Sequence, residues 1–258
     1  MGAIVEGHYF RKQFGCKSGI IAWSHRSRFL MGVKLIGPSV PRLLDYGCGD
    51  GTFLVLAADR FQEGFGADLA VDQIEDCRKR LASLTHLKFG ALSELSQVGS
   101  GFDIVMCMET LEHCTAPVVE KILDDFARLA LPTGRIIISV PIEIGPTFFL
   151  KWAVRKVAGW RKLSDYRHYE RYSFGDAFKM IFANRNTVVK RPIYGPPESP
   201  SHSHYGFNWR ALREVIRGRF EIEQTRFSPL GFLGGWVSSQ VWFVCRPPAE
   251  GEKATAPK

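Results

Sequence analysis

At 258 residues the chain is long enough to bury a sizeable core within one domain carrying insertions, and 45% hydrophobic with 23% charged residues is ordinary for a globular protein, which excludes a disordered or fibrous chain. Six cysteines at 16, 48, 77, 107, 114 and 245 form no C-x-x-C pair and no even framework, which argues against a secreted disulfide scaffold and for a reducing cytoplasm. The net charge of +8 is concentrated between 151 and 226, where 16 Lys/Arg face 7 Asp/Glu; this points either to an acidic partner or simply to a solvated basic face.

In chain order, "MGAIVEGHYF" has neither a basic start nor a long apolar core, so no signal peptide is expected, and Glu6 argues against myristoylation. Residues 1–40 read as an N-terminal helical segment: "IIAWSHRSRFLMGVKLI" (20–36) has helical spacing, with His25, Arg26 and Arg28 on its polar side. From 42 to 141 short β-type runs alternate with helical ones. "RLLDY", "GFGADL", "HLKFG", "FDIVMCM" and "GRIIISVP" are predicted as five strands. Helices are predicted over "GTFLVLAADRF", "AVDQIEDCRKRLASL" and "APVVEKILDDFARLAL". Such alternation implies an α/β fold, a parallel sheet with helices on both faces, and a ligand site beyond the carboxyl ends of the strands. Farther on, "NWRALREVIRGRF" reads as a helix and "FEIEQTRF" and "SSQVWFVCR" as strands. The longest uncharged run, 227–245, is broken by proline, glycines and serines, so no membrane-spanning helix is expected. The main domain is expected over 41–246, with an insertion at about 142–207 and a disordered tail over 247–258.

The most informative stretch is "RLLDYGCGDGTF" (42–53). A strand-to-helix turn rich in glycine lets a ligand approach backbone N–H groups. Thr52 stands where a dinucleotide loop needs its third glycine, and a phosphate-loop lysine is absent, so a nicotinamide oxidoreductase fits poorly. Asp45 repels a pyrophosphate and attracts an ammonium group, whereas Asp68, at the end of the second strand, can accept both hydroxyls of a ribose. A ligand with a ribose, a cationic amino-acid end and no phosphate matches S-adenosylmethionine.

On these residues the chain resembles the class I S-adenosylmethionine-dependent methyltransferases: D-x-G-x-G-x-G stands at 45–51, Asp68 matches the ribose acid, and "GFDIVMCMETLEHC" and "LPTGRIIISVP" match the fourth and fifth strands. The resemblance covers about 40–142 and is closest in style to the ubiquinone-biosynthesis O-methyltransferases. It implies a doubly wound, mostly parallel seven-stranded, Rossmann-like sheet with a helical and loop insertion after strand five. It also implies cofactor contacts at Asp45, Gly47, Cys48, Gly49, Asp68, Leu69 and Met108. The family's usual adenine-binding acid is replaced by Ala91 and Leu92, so the adenine is expected to rest on backbone and apolar contacts.

"METLEHC" carries Glu109, Glu112 and His113, an arrangement similar to ubiquinone-type and small-RNA 2′-O-methyltransferases, in which such groups bind a divalent cation beside the acceptor hydroxyl. By that resemblance Glu109, Glu112, His113 and His168, from "RHYERYSFGDAF", are candidate metal ligands, with His113 and His168 also candidate bases. His202 or His204, in "HSHYGFNWR", ranks below His168 because its spacing does not match. The alternative is a metal-free turn in which the glutamate caps and the histidine packs. Residues 146–163 form a candidate amphipathic helix that serves either as a lid, the favoured reading, or as a contact with an anionic membrane interface. Tyr166, Tyr169, Tyr172, Tyr205, Phe207 and Trp209 are candidate walls of the acceptor pocket. Oxygen is the expected acceptor atom, on a small, amphipathic or lipid-linked compound. An RNA acceptor ranks lower for want of a recognised binding module, and a silent cofactor-binding protein remains the rival from outside the enzymes.

Overall fold

The computed structural model describes residues 19–151, 172–197 and 200–247. It opens with α1 (Gly19–Ile36) and continues as β1 (Val40–Tyr46), α2 (Thr52–Leu56), β2 (Phe61–Asp68), α3 (Val71–Arg80), β3 (Leu87–Ala91) and β4 (Phe102–Met108). Then follow α4 (Ala116–Leu129), β5 (Ala130–Pro141), α5 (Phe174–Ile181), a short hairpin of β6 (Ile193–Tyr194) and β7 (Ser201–His202), α6 (Trp209–Arg217), β8 (Glu221–Ser228) and β9 (Gln240–Arg246).

Seven strands form one sheet in the order β3-β2-β1-β4-β5-β9-β8. The first five are parallel, and β9 runs antiparallel between β5 and β8. Strand order reverses between β1 and β4, which opens a crevice at their carboxyl ends. Consecutive residues of the central strands are buried on opposite faces. Leu43, Ile104, Ile137 and Trp242 meet α1, α2 and α3 through Phe29, Ile36, Phe53 and Ile74. Leu44, Val105 and Ile138 meet α4 and α6 through Ile122, Phe126, Leu212 and Ile216. Double burial explains why these strands read as unbroken apolar runs.

Three local expectations change. The helix predicted over 51–61 is shortened to α2, because Phe61 is already paired with Val40 in β2. Strand five starts at Ala130, not 134, and its Pro-x-Gly is absorbed as an irregularity between the Phe102 and Ile104 pairings. Arg28 is only 4% exposed instead of sitting on a polar face. α1 lies against the sheet, and Glu109 supplies the opposing charge.

Candidate functional site

The turn from β1 into α2 is tied to the end of β2, since Gly47 and Cys48 N–H groups both donate to the Ala67 carbonyl, at 2.7 and 3.0 Å. Gly47, Gly49 and Gly51 all have left-handed φ, at 79, 55 and 73°. At Gly47 space is also decisive: a Cβ there would lie 2.3 Å from Thr110 Oγ1. Asp68 is held facing this turn, its Oδ2 accepting from Gly49 N at 2.8 Å and its Oδ1 from Ala70 N at 2.9 Å. Asp45 is 1% exposed and neither carboxylate oxygen has a hydrogen-bond partner. Burial first, and the neighbouring Asp68 second, push its carboxyl up to about 8. A carboxyl so enclosed is costly to ionise unless a cation meets it.

A cavity of about 980 Å³ opens over this turn. Asp45, Gly47, Cys48, Gly49, Asp68, Leu69, Leu92 and Met108 line it, and it continues past Glu109 to His113. Ala91, expected to contact the cofactor, does not line it, and its N–H is taken by Glu94 Oε2 at 3.1 Å; Leu92 and Ser93 are the lining residues beside it.

Beyond β4 the chain makes a strained turn. Glu109 has φ of 52°, rare for a side-chain-bearing residue, and its carboxylate meets Arg28 Nη1 at 3.1 Å. Glu112 follows, fully buried, with both oxygens lacking a hydrogen-bond partner. Burial, then the Glu109 charge, raises its carboxyl well above the ordinary range. His113 Nδ1 lies 2.9 Å from the His202 carbonyl, which can only accept, so Nδ1 carries the proton and Nε2 keeps a lone pair. Burial holds its pKa below the usual value, favouring the neutral ring.

That lone pair faces His204 Nε2 at 3.4 Å, and the two nitrogens stand 3.8 and 3.9 Å from Glu112 Oε1. Glu112, His113 and His204 are thus the donor set brought together among the described residues. Glu109 turns to Arg28 instead, and His168 lies outside the described residues. His204 arrives because β6 and β7 pair Ile193 with His202, and because Arg191 clamps the loop. Its Nη2 donates to Ser203 O at 2.7 Å and to the Glu112 carbonyl, and its Nε to Tyr205 O at 3.1 Å. Arg191 was not singled out in the sequence; no local pattern marks a residue whose partners lie 12 and 79 positions away. His202 points elsewhere, its Nδ1 against the Pro192 carbonyl at 2.8 Å.

Of the aromatic candidates, Tyr172 and Tyr205 stack at 4.2 Å, whereas Phe207 and Trp209 are buried in the core. Tyr166 and Tyr169 lie outside the described residues, as does the candidate helix 146–163 beyond 151. In its described part Phe149 and Leu150 are exposed. Among the described residues no helix is long and apolar enough to cross a membrane.

Residues 43–134 match the family described as "Methyltransferase domain". The chain is 32% identical over 113 residues to a ubiquinone biosynthesis O-methyltransferase of Aeromonas salmonicida, a match spanning 42% of this chain and 46% of that protein. Among solved structures, PH0226 of Pyrococcus horikoshii is similar over 94% of this chain and 100% of that one, with a TM-score of 0.55 at 15% identity. The magnesium protoporphyrin IX methyltransferase of Synechocystis, solved with bound S-adenosylhomocysteine, covers 93% of this chain and 92% of its own, with a TM-score of 0.51 at 15% identity. At such identities the structures speak for the fold, and the chain spans under half the length of the ubiquinone-type relative.

Proposed function

We propose that this chain, which carries a class I S-adenosylmethionine-dependent methyltransferase domain, transfers the methyl group to a hydroxyl of a small, amphipathic or lipid-linked acceptor. One observation carries the cofactor reading: a buried Asp45 carboxyl without a hydrogen-bond partner lines the same cavity as Gly47, Gly49 and His113. An ammonium group fits the first of these, since it supplies the cation that Asp45 lacks. When bound, the cofactor supplies an electrophilic sulfonium methyl.

The chain's own work is then binding and alignment. Asp45 and the Gly47–Gly49 backbone hold the amino-acid end, and Asp68 offers its remaining lone pairs to the ribose hydroxyls. His113 presents its Nε2 lone pair on the acceptor side, where it can take the hydroxyl proton or ligate a cation. Glu112, His113 and His204 are donors suited to a divalent cation such as Zn²⁺ or Mn²⁺, and their unpartnered carboxylate and facing imidazoles support that assignment. A cation held there would acidify and orient the hydroxyl.

The basic stretch at 151–226 and the exposed Phe149 and Leu150 support an anionic or amphipathic acceptor and peripheral contact with an anionic membrane. The five described cysteines are free thiols, which fits a cytoplasmic setting. Calorimetric titration with S-adenosylhomocysteine, for wild type and Asp68→Ala, tests the pocket. Turnover on a panel of phenolic and lipid-linked hydroxyl compounds, read by mass spectrometry, tests the acceptor. Binding without any turnover would favour a silent binding protein, and no binding by folded wild type would refute the cofactor assignment.

A further inference from the structure

We propose that Glu143 is a positioning residue for His204, fixing the ring so that Nε2 is committed to Glu112 and His113. The inference rests on the reading that this cluster holds a divalent cation.

Glu143 lies two residues beyond β5 and is 1% exposed. Its Oε1 stands 3.6 Å from His204 Nδ1, while the opposite nitrogen of that ring faces His113 at 3.4 Å. To present Nε2 as a ligand, this imidazole gives up the Nε2 proton that meets the His113 lone pair and keeps its proton on Nδ1, and that proton needs an acceptor. His113 solves the same problem with the His202 backbone carbonyl at 2.9 Å. His204 has a carboxylate there instead, at an ion-pair separation, so the ring is oriented by charge. Lys151 Nζ, 2.9 Å from the same Oε1, offsets the cost of burying that charge. The two rings thus depend on acceptors of different kinds, a neutral carbonyl and an anion. Glu143, from "PIEIGP", is outside every motif that the sequence marks.

The test is titration of the full-length, metal-free protein with Co²⁺, followed by calorimetry and by the visible absorption of the bound ion. Wild type is expected to bind one Co²⁺, and E112Q to lose it. E143Q should bind about 10- to 100-fold more weakly, with a shifted visible band. K151M breaks the same ion pair without touching the carboxylate, so a positioning role predicts a much smaller loss than for E143Q. Equal losses in E143Q and K151M would reduce Glu143 to a structural partner of Lys151 and overturn the inference. Unchanged affinity in E143Q, with E112Q inactive in binding, would overturn it while leaving the cation site intact. No Co²⁺ binding by folded wild type would remove the cation reading and this inference together. If E143Q melts below the titration temperature, E143D, whose carboxylate is withdrawn by one methylene, takes its place with the same expected loss.

Discussion

Replacing Asp45 by Asn should stabilise the ligand-free protein and weaken its hold on the cofactor. The carboxyl is buried without a hydrogen-bond partner and is raised from 3.8 to about 8. A raised carboxyl means that, between those values, the folded state keeps a proton that the unfolded chain has released. Stability therefore falls as pH rises through this window, and levels off above it. At about 1.4 kcal/mol per pKa unit, wild type gives up roughly 4 kcal/mol near neutral pH that D45N keeps. For a chain of this size that corresponds to a melting difference on the order of 10 °C. An ammonium ligand needs the ionised form, so binding must release the proton. S-adenosylhomocysteine affinity should then rise by up to about tenfold per pH unit below the raised pKa, and D45N should show weak, flat binding. Scanning calorimetry between about pH 5 and pH 9 reads the first effect. Titration in two buffers of different ionisation enthalpy counts the protons released. A wild type whose melting and binding track D45N across this range, with no proton release, would refute the reasoning.

Other outcomes follow from the same geometry. Gly47→Ala forces a Cβ to 2.3 Å from Thr110 Oγ1 at a left-handed φ. It should cost about 1–3 kcal/mol in chemical denaturation and abolish S-adenosylhomocysteine binding. Arg28→Met leaves the partly buried Glu109 without this cation and should cost about 1–3 kcal/mol, most of it recovered in the Arg28→Met/Glu109→Gln double variant; a denaturation cycle with no coupling would show that the 3.1 Å pair does not join α1 to the β4 turn. Phe149→Ser with Leu150→Ser should reduce co-sedimentation with anionic vesicles while leaving cofactor affinity unchanged, and equal sedimentation would remove these side chains from the membrane contact.

Much of the α/β core could be read from the chain because its physics is local or periodic. β4 spans Phe102–Met108, as its apolar run predicts, and α4 starts at Ala116 as predicted and ends two residues before its predicted stretch does. Asp45, three glycines and Asp68 form a motif whose spacing follows from a strand, a tight turn and a second parallel strand. The errors lie where distant chain decides. Pairing of Phe61 with Val40 cut a helix short, and Glu109 drew Arg28 out of the solvent.

The acceptor side shows the division most clearly. Glu112 and His113 share one turn, so their proximity is written in adjacent residues. His204 is 91 positions away from His113, and the β6–β7 hairpin, the Arg191 clamp and Glu143 bring and orient it there. Local sequence determined the glycine turn, because backbone conformation and hydrophobic period act over a few residues. The histidine cluster was decided by the tertiary structure, because its groups meet only once long-range strand pairing and buried charges have closed the loops that carry them.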